Sequence, residues 1–328
     1  MPELHTNLHG RWFGMPPVVG PAAHTPVVAV ATSARPTPFV GRESLIPAIG
    51  KVIDEARSRI DVSSFRINGP LTVPKLGVAH EHGVKVHAII DADQADPTQR
   101  ANLASWAKVT DYGTDPWKQH GKAIAADNKV GMVATDVLGD ADDRQVDAGI
   151  RLQGSTASSL QHLLEIQSGS ARPEARRAVA DAVRGQGILV NDPRINVHYL
   201  SDGIRSLLSN ASQTLTVITK DFDDPRCLQM LADAAQRGVT TRLLTWNATD
   251  EDISRLRSAG VQASIGPTDR KFHGLLITAD NQALLGSSYL AERVLDGSAG
   301  RKSRELGVVV DGATAQTLLT STLDALHS

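Results

Sequence analysis

The sequence has little of what a disulfide-stabilised or nucleic-acid-binding protein needs. Its single cysteine, Cys227, cannot form an internal disulfide, so nothing in the chain requires an oxidising compartment. Aromatic residues make up only 4% of the chain, which leaves few rings for stacking on bases. The 34 Lys and Arg residues do not outnumber the 36 Asp and Glu residues, and the net charge is −2. These features argue against nucleic acid as the partner.

Long hydrophobic runs are also missing. No window reaches the apolar length that a membrane span requires, so we predict no transmembrane segment. The first residues have no basic stretch followed by an apolar run, so we predict no secretion signal and expect a cytoplasmic location. The chain has 328 residues, which is enough for two domains of ordinary size or one large one, and its 41% hydrophobic residues can supply a real core.

Helical and strand patterns alternate after residue 40. An apolar stripe at helical spacing covers 45–57, and a strand pattern follows at 59–65. A second helix is predicted over 73–82, ending at Gly83, before a strand at 85–91. This order predicts an α/β fold with a mostly parallel sheet. Residues 1–40 contain repeated prolines and are predicted to be irregular, apart from a short strand at 27–32.

The same order returns about 155 positions later. EHGVKVHAIID in the first part aligns with QRGVTTRLLTW in the second. A repeat of this length is too long for a solenoid, so it predicts two similar α/β halves related by an approximate two-fold axis. We place the first half at 41–170 and the second at 190–328. The connector, 171–189, and the end of the first half contain two helical patterns, 156–166 and 173–184.

One short motif occurs once in each half. KQHGKAIAAD at 118–127 and KFHGLLITAD at 271–280 agree at Lys, His, Gly and Ala-Asp. If each motif is a strand, His120 and Lys122 project to the same side. In the second motif Leu275 stands where the lysine is expected.

Two histidines that meet across the axis could each catalyse one part of phosphodiester cleavage. One imidazole can attack phosphorus while the other protonates the leaving oxygen. A lysine would neutralise the oxygens of the five-coordinate transition state. An aspartate can orient an imidazole through Nδ1 and stabilise its charged form.

These motifs resemble those of the phospholipase D superfamily, which is built from two His-Lys-Asp motifs on a duplicated fold. The resemblance covers about 40–328 and is complete for His120-Gly-Lys122-x4-Asp127. It holds for the second motif except at Leu275. Other elements that resemble the family pattern are Gly286-Ser287-Ser288 and Glu305 in the second half, and Ala134-Thr135 and Asp147 in the first.

The resemblance implies two α/β/α sandwich halves related by a pseudo-two-fold axis. It implies a hydrolase or a phosphatidyl or phosphoryl transferase that forms a phosphohistidine and needs no metal or other cofactor. His120 would be the nucleophile and His273 the general acid and base. Asp127 and Asp280 would orient the imidazoles, often across the interface. The residues expected to bind a phospholipid or another small phosphate-containing substrate are Lys271, Thr135, Ser287, Ser288, Glu305 and Asp147.

Leu275 leaves several alternatives open. Another cation could stand in for the lysine, and the candidates are Lys271, Lys302 and Arg304. The substrate could carry less charge or pack on Leu275. The protein could instead be a catalytically inactive relative that binds phosphate, or a member acting on nucleic acid. The acidic stretch 139–143 lacks the alternation and closing Glu of an EF-hand, so we predict a solvated loop and no metal there.

Overall fold

The computed structural model describes residues 36–67, 69–113, 117–138, 144–169, 171–291, 295 and 302–328. The predicted strand 27–32 and the acidic stretch 139–143 lie outside the described residues. Residues 37–40 were expected to be irregular, and this prediction is wrong, because they pair with the strand at 148–153.

The first half contributes nine strands and four helices to the described part of the chain. Its strands are β1 (Thr37–Val40), β2 (Arg59–Ser64), β3 (Lys85–Asp91), β4 (Lys108–Gly113), β5 (Trp117–Gln119), β6 (Ala123–Ala126), β7 (Val130–Ala134), β8 (Gln145–Val146) and β9 (Ala148–Gln153). Its helices are α1 (Arg42–Glu55), α2 (Thr72–Glu81), α3 (Pro97–Trp106) and α4 (Gly154–Ser168). The helices and strands predicted between 45 and 91 therefore occur, with ends shifted by a few residues. The first motif is not one strand as predicted, because residues 120–122 lie between β5 and β6.

Helix α5 (Pro173–Arg184) lies in the predicted connector and leads into the second half. The strands that follow are β10 (Ile188–Asp192), β11 (Val197–His198), β12 (Thr214–Asp221), β13 (Thr240–Asn247), β14 (Gln262–Ile265), β15 (Lys271–Phe272), β16 (Leu275–Ala279), β17 (Gln282–Gly286) and β18 (Lys302–Asp311). The helices are α6 (Tyr199–Asn210), α7 (Pro225–Gln236), α8 (Asp250–Ser258) and α9 (Gly312–His327), with a 3₁₀ turn at Pro193–Ile195.

The two main sheets have the same strand order. The first is β1-β9-β7-β6-β2-β3-β4, and the second contains β10-β18-β17-β16-β12-β13-β14 with β11 added at its edge. Each strand of the first sheet thus has a counterpart at the same place in the second. The glycines that end α2 and α7, Gly83 and Gly238, both have φ of 88°, which is the left-handed conformation that favours glycine. The predicted duplication is confirmed, and the chain forms two similar α/β halves.

The sheets are mixed, so the prediction of a mostly parallel sheet is wrong. In the first sheet only the β2–β3 and β3–β4 pairs are parallel, and their connections run through α2 and α3. The pairs β2–β6, β6–β7, β7–β9 and β1–β9 are antiparallel. A short turn joins β6 to β7, and such a turn can join only antiparallel strands.

Apolar side chains of both halves share one core between the sheets. This shared cluster includes Ala123 and Val133 of the first half with Leu276 and Leu306 of the second. Full burial of one such leucine contributes about 1.5–3 kcal/mol to folding. Two further clusters lie under the helices on the outer face of each sheet. Each half is therefore a sheet covered on both faces, and the shared core holds the halves together.

Two short strands cross from one half to the other. Strand β5 of the first half pairs with β18 of the second, and β15 of the second half pairs with β8 of the first. This reciprocal exchange is what a pseudo-two-fold axis produces, and each motif histidine follows directly after a crossing strand. None of the described helices is long and apolar enough to cross a membrane.

Candidate active site

Both ring nitrogens of His120 have partners. Nδ1 lies 3.0 Å from Oε2 of Glu305, and Nε2 lies 3.1 Å from Nζ of Lys122. An ionised carboxylate only accepts hydrogen bonds, so Nδ1 donates and Nε2 keeps its lone pair. The histidine therefore presents a nucleophilic nitrogen beside the lysine ammonium.

His273 makes the equivalent contact in the opposite direction. Its Nδ1 lies 3.0 Å from Oδ1 of Asp147, which belongs to the first half, whereas Glu305 belongs to the second. Asp147 is 2% exposed and Glu305 is 1% exposed, so each carboxylate is shielded from solvent by its histidine partner and neighbouring groups. The two His–acid pairs cross between the halves as the pseudo-two-fold axis requires.

A hydroxyl holds each of these acids in place. Thr135 Oγ1 donates to Oδ1 of Asp147 at 2.7 Å, and Ser287 Oγ donates to Oε2 of Glu305 at 2.5 Å. Each hydroxyl also accepts the backbone N–H of the residue that follows the acid, at 3.0 and 3.1 Å. These four residues were expected to bind substrate. In the structure Glu305 and Asp147 bond to the imidazoles, and Ser287 and Thr135 bond to these acids. Such partners fix ring position and tautomer. The contact of these residues with substrate stays a prediction.

The glycine after each histidine allows the halves to approach closely. Gly274 has φ of 132°, and a Cβ there would lie 2.4 Å from Cγ2 of Thr135. A Cβ on Gly121 would lie 3.2 Å from the side chain of Leu306. In both motifs the backbone thus passes against a side chain of the other half.

Two aromatic rings beside the histidines were missed in the sequence. The centroid of Phe65 lies 4.9 Å from that of His120 in an edge-on arrangement. The Tyr289 centroid lies 5.6 Å from His120 and 6.5 Å from His273, so one ring contacts both imidazoles. Tyr289 directly follows the Gly-Ser-Ser element, and its position was the available signal.

Burial and mutual contacts shift the pKa values of His120, Lys122 and Glu305. Burial lowers the pKa of His120 below 6.5, despite the opposing effect of Glu305, and Lys122 adds to the lowering. Burial also lowers the pKa of Lys122, against the effects of Glu305 and other nearby acids. Burial alone would raise the pKa of Glu305, but His120 and Lys122 outweigh it and hold that pKa below its usual value. At neutral pH the imidazole is therefore uncharged and the carboxylate ionised, as a nucleophile requires.

The prediction that Asp127 and Asp280 orient the imidazoles is wrong. Asp127 accepts the backbone N–H groups of 57–59 and the hydroxyl of Ser58. Asp280 accepts the equivalent groups of 212–214. A strand rises about 3.3 Å per residue, so β6 and β16 place each Asp at the opposite end from its His. The two aspartates hold the start of β2 and of β12 and are structural residues.

Leu275 is fully buried in the outer core of the second half. Two of the proposed substitutes for the missing lysine are engaged elsewhere. Arg304 is also fully buried, and it pairs with Asp192 at 3.1 Å. Nζ of Lys302 lies 5.2 Å from the ring centroid of Trp117. Neither of these contacts is with a motif histidine.

Lys271 does lie beside a motif histidine, since it lines one cavity together with His273.

The Ser288 hydroxyl donates to the backbone carbonyl of Tyr289 at 3.0 Å, so this predicted substrate-binding group is used locally.

One group of described residues could hold a metal ion. Asp136, Asp147 and His273 each offer a ligand atom, and these atoms lie within 4.8 Å of one another. The contact between His273 and Asp147 is the counterpart of the pair formed by His120 and Glu305. The pairing of the two halves therefore accounts for the contact of His273 with Asp147, and Asp136 is a further acid beside this pair.

Several solved structures share this fold. Phosphatidylserine synthase from Haemophilus influenzae superposes with a TM-score of 0.67 at 14% identity, covering 92% of this chain and 87% of that one. Polyphosphate kinase from Porphyromonas gingivalis gives 0.65 at 13% identity, covering 89% of this chain and 46% of that one. Yeast tyrosyl-DNA phosphodiesterase gives 0.52 at 11% identity, covering 84% and 89%. Neither a protein-family model nor a curated protein sequence matches the chain. At these identities the likeness confirms the fold.

Proposed function

The chain has the fold of the phospholipase D superfamily, and on that premise we propose that it is a phosphodiester hydrolase or transferase. The crossed His–acid pairs carry this proposal. Two buried carboxylates hold two imidazoles through Nδ1, which leaves both Nε2 atoms for chemistry on a shared ligand. Lys122 supplies a cation at one of them.

The reaction would proceed in two steps. Nε2 of His120 attacks phosphorus, the N–P bond forms, and the bond to the leaving oxygen breaks. His273 gives its Nε2 proton to that oxygen. Water or an alcohol then attacks phosphorus, returns a proton to His273 and releases His120. The choice of His120 as nucleophile rests on its lowered pKa and on Lys122, which stands ready to neutralise the phosphate oxygens.

The substrate would be a small or lipid phosphodiester. Phe65 and Tyr289 flank His120, so the group next to phosphorus meets apolar ring surface. Within the described part of the chain, Lys122 is the lysine with a hydrogen bond to an imidazole, and Leu275 at the matching position is buried in the core. We propose that the residues named above carry the reaction without a metal ion.

Turnover of bis-p-nitrophenyl phosphate in the presence of EDTA tests this proposal. The same assay should include phosphatidylcholine vesicles and a single-stranded oligonucleotide. Activity on one of these substrates and not on the other distinguishes a lipid enzyme from a nuclease. We expect EDTA-resistant turnover that His120→Ala abolishes. A folded wild type that binds phosphate but turns over no diester would instead indicate an inactive phosphate-binding protein.

A further inference from the structure

The lysines that precede the two motif histidines have different surroundings. Lys118 and Lys271 hold matching positions, each two residues before a histidine. Nζ of Lys118 lies 2.5 Å from Oδ2 of Asp93, and its side chain is only 14% exposed. That charge is neutralised within the protein. Lys271 instead faces a cavity that contains other basic groups.

This cavity has a volume of about 220 Å³. The described residues that line it are Arg144, Gln145, Lys220, Lys271, Phe272 and His273, and none of these is acidic. Two of its cations, Lys220 and Lys271, come from separate segments of the chain. Like charges brought together around a concave surface repel one another, and an anion bound among them would reverse that cost.

The frame of the cavity is built from paired strands. Lys271 pairs with Gln145 where β15 joins β8, and the backbone N–H of Lys271 donates to the carbonyl of Arg144 at 2.7 Å. Lys220 comes from β12, whose last residues lie beside β15. The cationic side chains therefore project from a fixed backbone.

The cavity also adjoins the proposed general acid, because His273 is one of its lining residues. Under the proposed function His273 protonates the leaving oxygen. A group that occupies this cavity is thus part of the leaving group, whereas the phosphoryl group remains on His120. His273 belongs to the second motif, in which Leu275 stands at the lysine position.

We propose that this cavity is a leaving-group subsite that binds a second anionic group of the substrate, a phosphate or a carboxylate, through Lys220 and Lys271. The assignment to the leaving group rests on the proposed function. The positive charge near the second motif would then lie beyond the scissile phosphate, on Lys220 and Lys271. There it would favour substrates that carry a second anionic group.

Binding to the full-length His120→Ala variant tests the subsite without turnover. The probes are aryl methyl phosphates whose phenol carries a para phosphonate, a para carboxylate or an uncharged para carboxamide. At low salt we expect the phosphonate to bind about tenfold more tightly than the carboxamide by calorimetry, equivalent to about 1.4 kcal/mol. The carboxylate arm shows whether the subsite prefers a phosphate-like or a carboxylate group.

The double change Lys220→Met and Lys271→Met should reduce the preference to within about twofold, since each lysine contributes a modest screened attraction. Lys129→Met, at an exposed lysine of the β6–β7 turn, is the matched control and should retain the preference. Circular dichroism and thermal unfolding establish that each variant is folded. Equal affinities for the three probes, or a preference that survives the double change, would overturn the subsite.

Wild-type turnover of the same probes separates the subsite from the proposed function. Turnover of all three probes at equal kcat/KM would overturn the subsite and leave the enzyme assignment standing. A binding preference that depends on the lysines, with no turnover by wild type, would support the subsite and overturn the enzyme assignment.

Discussion

His120 and Glu305 lie 185 residues apart in the sequence and are joined by a 3.0 Å hydrogen bond. His273 and Asp147 are joined in the same way, from the opposite halves. The site therefore exists only when both halves are folded and packed together. This crossing explains why one chain carries the motif twice, because each half supplies the histidine whose partner the other half provides.

Replacing Glu305 with Gln should lower kcat by about 10²-fold or more, because the imidazolium that forms on His120 loses its charged partner. Asp147→Asn is the matched change at His273. It should slow turnover more for an alkyl leaving group than for p-nitrophenol, since p-nitrophenol leaves without a proton. An equal effect of Asp147→Asn on both substrates would contradict the role of His273 as the acid.

The pH profile follows from the lowered pKa of His120. The free enzyme attacks only with a neutral imidazole, so kcat/KM should fall on the acid side below pH 6.5, the ordinary value for histidine. Glu305 raises this pKa and Lys122 lowers it. Glu305→Gln should therefore move the titration of His120 to lower pH and Lys122→Met to higher pH, as followed by NMR. Shifts in the reverse directions would refute the charge arrangement.

Asp127→Asn should destabilise the protein by about 1–3 kcal/mol, because its carboxylate accepts several hydrogen bonds at the start of β2. Burial opposes ionisation, but the Ser58 hydroxyl and the backbone N–H groups hold the pKa of Asp127 below 3.8. The stabilisation should be complete above pH 3.8 and be lost as the pH falls through the lower folded value.

Denaturant unfolding at several pH values measures this difference. Asp324→Asn, at an exposed aspartate of α9, is the control and should change little. Turnover by Asp127→Asn at a temperature where it stays folded should remain near that of wild type. A large loss of kcat with unchanged stability would show instead that Asp127 acts in the chemistry.

Leu275→Lys should restore the second cation. Lys122 is 2% exposed at the matching position, and its Nζ still reaches Nε2 of the neighbouring histidine. We expect kcat/KM for a simple diester to rise by about tenfold or more, with some loss of thermal stability from the buried charge. Leu275→Met, which keeps size without charge, is the control. A folded Lys variant no more active than the Met variant would show that the site does not use a second lysine.

The sequence was sufficient to predict the duplicated α/β fold and to find both histidines, because these lie in motifs that recur in register. It could not reveal the partners of the histidines. Glu305 and Asp147 are distant in sequence, and their pairing depends on how two halves dock. The role of Asp127 was misjudged because Asp127 is close to His120 in the sequence. Strand β6 between them is extended, so the two residues lie at opposite ends of it. Hydrophobic periodicity marks strands but not their direction, so the antiparallel pairs of β6 and β7 were also missed.

The most direct test of the account is to trap the covalent intermediate. His273→Ala should still be phosphorylated by p-nitrophenyl methyl phosphate, whose leaving group needs no acid, and hydrolysis of the adduct should be slow. After rapid quenching at alkaline pH, peptide mass spectrometry should locate a methylphosphoryl group on His120 and none in His120→Ala. An adduct on another residue of the folded protein would contradict the account. So would turnover by wild type with no adduct on His120 in either the wild type or His273→Ala.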